Sequence, residues 1–304
     1  MAELQLTLLG GSTFVAKGPT NIGLFVAQSE RAGQPGRAVL VDSGNDDDAG
    51  KKILRACDSA GLKVSHIANT HSNADHCGGN ALLQARTGCR IAAPRLEAAF
   101  IEEPIREAAF LWGGFPPPPL RNKFLVAKPS RVTDLLEAPC AVPDAGIEAI
   151  PLPGHFLGQV GYLTPDRVFF AADSAASPAI LTKYKYYVVY DVAAHLSTLD
   201  MLATLDVDWI VPSHAEPTRE AGPLVEANKA TILGIGDRIL ELCGRGDATS
   251  ETLVERLASS LGLELNHTQH ALLGLTLRSY LSWHADRGLV ISHIEKNRLL
   301  FERK

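Results

Sequence analysis

Thr70-His71-Ser72-Asn73-Ala74-Asp75-His76-Cys77-Gly78-Gly79 is the densest run of chemistry-bearing side chains in the chain. It follows His66–Asn69, which reads as a short strand, and precedes Asn80–Thr87, which reads as a helix. A tight loop between a strand and a helix turns alternate side chains into one space. Imidazole and carboxylate groups within six positions then converge as metal ligands must. A lone histidine has an ordinary structural explanation, but this cluster, closed by two glycines, points to a metal centre.

Working outward, the pattern of strand, polar loop and helix repeats. Gln5–Leu9, Asn21–Ala27 and Ala38–Val41 read as strands, the last ending in the turn Asp42-Ser43-Gly44. Asp46–Gly61 reads as a helix with acidic residues in its first turn, where they complement the helix dipole. Arg90–Ala93 is a further strand. Three more candidate ligands follow, each after a strand or a glycine turn: Pro153-Gly154-His155, Ala172-Asp173-Ser174 after Val168–Ala172, and Pro212-Ser213-His214 after Trp209–Val211. Such alternation suits a layered α/β fold with its chemistry on loops at strand ends.

Between Leu96 and Arg131 the regular pattern fails, and Phe110–Pro119, rich in aromatics, glycine and proline, is expected to be irregular. It reads either as a surface connection or as a substrate-covering insertion in which Trp112 and Phe115 offer apolar area. From about Pro223 the character changes. Leu224–Cys243, Glu251–Leu261 and His270–Arg287 have helical spacing, and Leu289–His293 and Arg298–Glu302 read as strands around Glu295-Lys296-Asn297. Three helices and a hairpin make a winged-helix-like module, so the chain divides into residues 1–222 and 223–304.

Composition narrows the class without naming an activity. The chain has 304 residues, 46% hydrophobic and 21% charged, with a net charge of −5. An acidic chain is a poor match for a phosphate backbone. The carboxy-terminal module carries ten basic and ten acidic residues and hence no electrostatic footprint for nucleic acid. No apolar run approaches the ~20 residues of a membrane span. The amino terminus shows no basic region ahead of an apolar stretch, so no export signal is expected. Five cysteines without paired spacing suit a reducing compartment, and a cytoplasmic location is expected.

The succession His71-x-Asn73-x-Asp75-His76, then His155, Asp173 and His214, resembles the metallo-β-lactamase superfamily of hydrolases. There a His-x-His-x-Asp-His motif, a later Gly-His, a bridging Asp and a last His build a two-metal site on an αββα sandwich. The resemblance covers roughly residues 5–218, with Asp42-Ser43-Gly44 similar to the family's turn beneath the site. It implies a four-layer αββα sandwich with a small α-helical, winged-helix-like carboxy-terminal domain, and a metallohydrolase activity. It further implies a first metal position of His71, Asn73 and His155, a second of Asp75, His76 and His214, and Asp173 bridging both. Asp75 would also orient the nucleophile.

Asn73 departs from the pattern, standing where the family has its second histidine. An amide oxygen is a weaker donor than imidazole and suits harder cations. The site then holds two metals with Asn73 as a ligand or beside one, or a single metal at Asp75–His76–His214, or is a relic. One or two divalent metal ions are expected, zinc first, with iron and manganese as alternatives. Metal-activated hydroxide would attack an ester, thioester, lactone or phosphoester of a small-molecule substrate.

Lys183 and Tyr187 within Lys183–Tyr187, and Trp112, are candidate substrate contacts, weighed against an ordinary surface segment. His195 lies in an apparent helix and reads as a surface or packing residue rather than a site residue, Cys77 as structural, and His66, His267, His270, His284 and His293 as structural. Two other functions compete: a nucleic-acid-binding regulator acting through the carboxy-terminal module, which the neutral charge disfavours, and a non-hydrolytic iron enzyme on the same ligands. No membrane contact is expected, and the apolar carboxy-terminal helices offer a homodimer contact.

Overall fold

The computed structural model describes residues 4–27, 35–244 and 248–304. Seven strands form the first sheet in strict chain order: β1 (Leu6–Gly10), β2 (Thr13–Ala16), β3 (Ile22–Ala27), β4 (Gly36–Val41), β5 (Leu62–Ala68), β6 (Arg90–Pro94) and β7 (Asp134–Leu136). β1 to β4 pair antiparallel. β4 to β7 pair in parallel, which requires crossovers between them. Those crossovers are α1 (Asp47–Ser59), then α2 (Ala74–Cys77) with α3 (Asn80–Thr87), then α4 (Arg95–Glu102) with α5 (Ile105–Trp112). α1 starts where its cap should: the Asp46 carboxylate accepts from the backbone N–H groups of Asp48 and Ala49.

The second sheet runs β12-β11-β10-β9-β8, from β8 (Cys140–Ala141), β9 (Glu148–Pro151), β10 (Val160–Leu163), β11 (Val168–Ala176) and β12 (Trp209–His214). β11 and β12 pair in parallel across α6 (Pro178–Tyr184) and α7 (Val192–Thr204). Val39 and Val41 of the first sheet meet Tyr162, Phe170 and Val211 of the second in a core between the sheets. Ile53, Cys57 and Leu83 of α1 and α3 cover the outer face of the first sheet. α6 and α7 cover the outer face of the second, completing four αββα layers.

Then come α8 (Gly222–Cys243), α9 (Ser250–Leu261), α10 (His267–Asp286) and the hairpin β13 (Val290–Glu295) and β14 (Arg298–Arg303), in the order the sequence suggested. Val225, Ile232, Leu253 and Leu277 of these helices share one core with Phe169 and Leu199 beneath them. The fold is thus the α/β sandwich expected, with an appended helical region.

The segment after Leu96 corrects the sequence reading. α4 and α5 are regular helices, and α5 runs through Phe110–Trp112 before Gly113, in the left-handed region at φ 77°, ends it. The reason lies on the buried faces: Glu97, Ala98 and Ile101 on α4, and Glu107, Ala108 and Leu111 on α5. An acid in each core-facing stripe breaks the apolar periodicity by which an amphipathic helix is recognised. Beyond Gly113 the chain is irregular apart from a short 3-10 turn at Pro118–Leu120.

Candidate metal centre

The ligand loop hangs on Asp42, just past β4. Asp42 Oδ1 accepts from the Thr70 N–H (2.8 Å), and Oδ2 accepts from the Thr70 hydroxyl (2.8 Å) and from His76 Nδ1 (2.8 Å). The backbone of Asp42 is itself in the left-handed region, φ 63°, the kind of strain that a surrounding network must hold in place. The glycines after His76 permit the fit, since a Cβ on Gly79 would stand 2.3 Å from the Ser43 carbonyl oxygen. α2 therefore seats directly on the Asp42 turn, with the Ser43 N–H donating to the His76 carbonyl at 2.8 Å.

Four histidines present the same bare nitrogen. His76 Nδ1 donates to Asp42, His155 Nδ1 to the Val188 carbonyl (2.9 Å), and His214 Nδ1 to the Pro19 carbonyl (2.7 Å). Thr70 spends its one proton on Asp42, so His71 Nδ1 donates to Thr70 Oγ1 at 3.0 Å. Each outer partner can only accept there, which leaves the Nε2 lone pair of each neutral ring free and oriented.

These lone pairs converge on two carboxylates. His76 Nε2 lies 3.3 Å from Asp173 Oδ1, and His214 Nε2 3.3 Å from both Asp173 Oδ2 and Asp75 Oδ2. His155 Nε2 is 3.6 Å from Asp173 Oδ2 and 3.2 Å from Asn73 Oδ1. The rings of His71 and His76 are 4.0 Å apart, centre to centre. Among the described residues, donor atoms of His71, His76 and Asp173, and of Asp75, His76 and His214, fall within 4.8 Å of one another. Two donors on one tetrahedral ion, each at ~2.1 Å, stand roughly 3.4 Å apart, so the spacing suits a cation. His71 Nε2, His76 Nε2 and Asp173 Oδ1 are buried without a hydrogen-bond partner. Unpaired buried acceptors of this kind are costly unless a cation satisfies them, and the residues present therefore fit a divalent metal.

The two sides of this cluster differ electrostatically. Burial holds His71 and His155 below the usual imidazole range. Burial also opposes charge on His76 and His214, yet the surrounding carboxylates prevail: Asp75, Asp173 and Asp42 raise His76, and Asp173 and Asp75 push His214 up to about 11. The Asp75–Asp173 side thus calls for positive charge.

Every candidate ligand read from the sequence comes to this one place: His71, Asn73, Asp75 and His76 from the loop and α2, His155 from the β9–β10 connection, Asp173 from β11 and His214 from the end of β12. The β11 register breaks after Ala172, whose φ is 50°, immediately before Asp173. Gly154, at φ 123°, packs where a Cβ would meet the His195 backbone at 2.3 Å, so α7 presses on the His155 turn. His195 itself is fully buried, its ring 5.7 Å from Tyr187 and its pKa pushed down to about 3 by burial, as a packing residue requires.

Two functional candidates escaped the sequence reading. Glu97 accepts from Ser72 N–H (3.1 Å), the Ser72 hydroxyl (2.6 Å) and Gly158 N–H (2.6 Å), tying the ligand loop to the β9–β10 connection. Glu107 Oε1 accepts from Asn73 Nδ2 at 2.9 Å. The available signal was weak: two acids at core-facing spacing in a segment that looked irregular.

A cavity of about 600 Å³ opens over His214, Asp173 and Asp75. Leu125, Ile180, Tyr186 and Val188 form apolar walls, and Thr268 and Leu272 of α10 close one side. Lys183 and Tyr187 line it, but the Tyr187 hydroxyl is committed to the Asp173 carbonyl at 3.0 Å, and the Lys183 ammonium lies 4.8 Å over the Tyr184 ring. Trp112, half exposed at the end of α5, is not among the lining residues.

A model of the metallo-beta-lactamase superfamily matches residues 17–214. The chain is 25% identical over 167 residues to a hydroxyacylglutathione hydrolase of Rhizobium etli, covering 51% of this chain and 52% of that protein. It is 47% identical over 45 residues to one of Maricaulis maris, covering 15% and 18%. The chain thus spans about half or less of the length of these curated relatives. A beta-lactamase domain protein from Burkholderia ambifaria superposes with a TM-score of 0.78 at 18% identity, covering 98% of this chain and 94% of that one. A metallo-beta-lactamase family protein from Thermus thermophilus superposes at 0.71 with 20% identity, covering 94% of each chain. These likenesses bear on the fold.

Proposed function

This chain belongs to the metallo-beta-lactamase superfamily, and from that premise we propose that it is a metal-dependent hydrolase of thioesters first, with other esters, lactones and phosphoesters as the wider class. The observation that carries the reading is the convergence of four oriented Nε2 lone pairs with Asp75 and Asp173, beside a cavity that Asp75, Asp173, His155 and His214 line. His71, Asn73 and His155 would hold one cation, Asp75, His76 and His214 another, and Asp173 would stand between them. One or two such ions, zinc first and iron or manganese otherwise, would lower the pKa of bound water from ~15.7 to about 7 and polarise the attacked carbonyl. Asp75 Oδ2, braced by the Thr20 hydroxyl at 2.9 Å, orients the attacking water. The apolar walls exclude bulk solvent from the acyl group, and Lys183 at the rim favours an anionic substituent. The relatives' name, hydroxyacylglutathione hydrolase, supports placing thioesters first.

The division at residues 222 and 223 belongs to the same proposal. The amino-terminal part carries all seven ligand positions, while α10 supplies a cavity wall and thereby shapes the substrate. No described helix is long and apolar enough to cross a membrane, and the substrate is taken to be a small molecule. The test is a screen of metal-loaded protein against S-acyl glutathione thioesters, aryl esters, lactones and phosphodiesters. Hydrolysis of a thioester, abolished by a chelator and restored by zinc, is expected. Failure of fully loaded protein to hydrolyse any member of the four classes overturns the proposal.

A further inference from the structure

We propose that Glu107 is a positioning residue that holds the Asn73 amide with its carbonyl oxygen toward His71 and His155, making the first cation position a site of one oxygen and two nitrogen donors. The inference rests on the metal-dependent reading above. It starts from two hydrogen bonds, one on each side of the Asn73–His155 contact. The Val188 carbonyl can only accept, so His155 Nδ1 carries the proton and the neutral ring leaves Nε2 as a bare lone pair. Asn73 Nδ2 donates to Glu107 Oε1 at 2.9 Å, so the amide nitrogen is turned toward the carboxyl. The other end of the amide, Oδ1, then points at His155 Nε2 from 3.2 Å. Two acceptors face one another at hydrogen-bond distance with no proton to share. The separation is close to the roughly 3.4 Å expected of two donors on one tetrahedral ion, so a cation reconciles them.

Packing alone does not account for Glu107. It lies on the buried face of α5, between the Ala108 and Leu111 side of the helix and the ligand loop. Taking a carboxyl group out of water is unfavourable unless its partners compensate, whereas a leucine or methionine would fill the same stripe without that cost. What the carboxyl provides is direction. A side-chain amide looks nearly the same after a half-turn about its last bond, but its nitrogen has no lone pair to offer a metal. Without Glu107 the amide can turn that nitrogen inward, and the first position keeps only His71 and His155. Asn73 thus substitutes for an imidazole only together with an acid from another element, 34 residues further along the chain.

Metal stoichiometry and affinity, measured on the full-length apo protein with zinc and with manganese, provide the test. Wild type is expected to bind two equivalents. Glu107→Met should weaken the first-position ion by about 10–100-fold, the usual effect of losing a residue that orients a ligand. Glu107→Gln, whose carbonyl can still accept from Asn73, should stay within about threefold of wild type. A single equivalent in wild type, or unchanged affinity in Glu107→Met, overturns the proposal. If Glu107→Met does not fold, wild-type crystals soaked in zinc decide: anomalous density within about 2.2 Å of Asn73 Oδ1 supports the proposal, and its absence there overturns it. Each readout is of binding, so an inactive protein that binds two ions refutes the hydrolase reading and leaves this inference standing.

Discussion

The two halves of the metal centre reach similar ends by different construction. On one side Asp75, His76 and His214 are strong donors held by local means: the Asp42 turn directly beneath the loop, the Pro19 carbonyl, and Thr20 on Asp75. On the other side His71 and His155 are joined by a neutral amide that has the right orientation only because an acid on α5 sets it. The Asp75–His76–His214 half is electron-rich and raises the pKa of its histidines, while burial holds the imidazoles of the His71–His155 half below their usual range. A weak ligand can be kept when a distant buried carboxyl group controls its geometry, and the dependence then moves to the distant residue.

Asp173 stands between the halves, so its loss should produce the largest effect. Asp173→Ala is expected to release both cations and lower kcat/KM on a cleaved thioester by on the order of 10³, about 4 kcal/mol of transition-state stabilisation. Retention of both metals in dialysed protein would show that the halves do not depend on a shared carboxylate. A smaller, unequal pair comes next. Asp75→Asn should cost on the order of 10² in kcat, because it removes the group orienting the water. Asn73→Ala should cost only about 10–100-fold in first-position affinity. Side-by-side titration and kinetics check the ranking, and equal losses in both variants would erase the asymmetry.

Glu97 sharpens the comparison from the side of stability. Glu97→Leu leaves the Ser72 N–H, the Ser72 hydroxyl and the Gly158 N–H without their acceptor. Buried orphans of this kind cost about 1–3 kcal/mol each before relaxation, so a loss of about 3 kcal/mol in urea unfolding is expected, with Glu97→Gln milder. A change under about 0.5 kcal/mol would mean that the loop needs no such tie.

The smallest effect lies outside both halves and separates folding from ligand chemistry. Burial lowers the pKa of His66, with Arg90 and Arg37 adding to it, and burial lowers His284 against its bond to the Gly236 carbonyl. Between those lowered values and the ordinary 6.5, the unfolded chain binds protons that the folded chain does not. Stability should therefore be fully present above that ordinary value and decline as pH falls below it. Apo protein should unfold at lower urea at about pH 5 than at about pH 7.5, and His284→Gln should reduce the difference. An unchanged pH dependence in that variant would remove His284 from the account.

Much was legible in the chain itself. The loop Thr70–Gly79, Asp173 and His214 each follow an apolar strand and His155 a glycine turn, and local spacing suffices to recognise them because a strand end delivers its next residues to one edge of a sheet. The alternation pointed to a layered α/β fold and the helical spacing to three helices with a hairpin, while the αββα order came from the resemblance of the ligand motif. α4 and α5 were not legible, because Glu97 and Glu107 occupy the positions where an amphipathic helix should be apolar. Trp112, attractive in sequence, ends α5 away from the cavity wall, and Tyr187 turns its hydroxyl to the Asp173 backbone.

Sequence alone determined which side chains are available as ligands and in what order they leave their strands, since both are properties of residue type and local backbone. Only the tertiary structure decided what each ligand presents. Which nitrogen is bare, which end of Asn73 faces inward and which carboxyl is buried beside it depend on hydrogen-bond partners up to 195 residues away, as in the His214–Pro19 pair. Such partners meet only when the layers pack, because hydrogen bonds act over about 3 Å in space and are blind to separation along the chain.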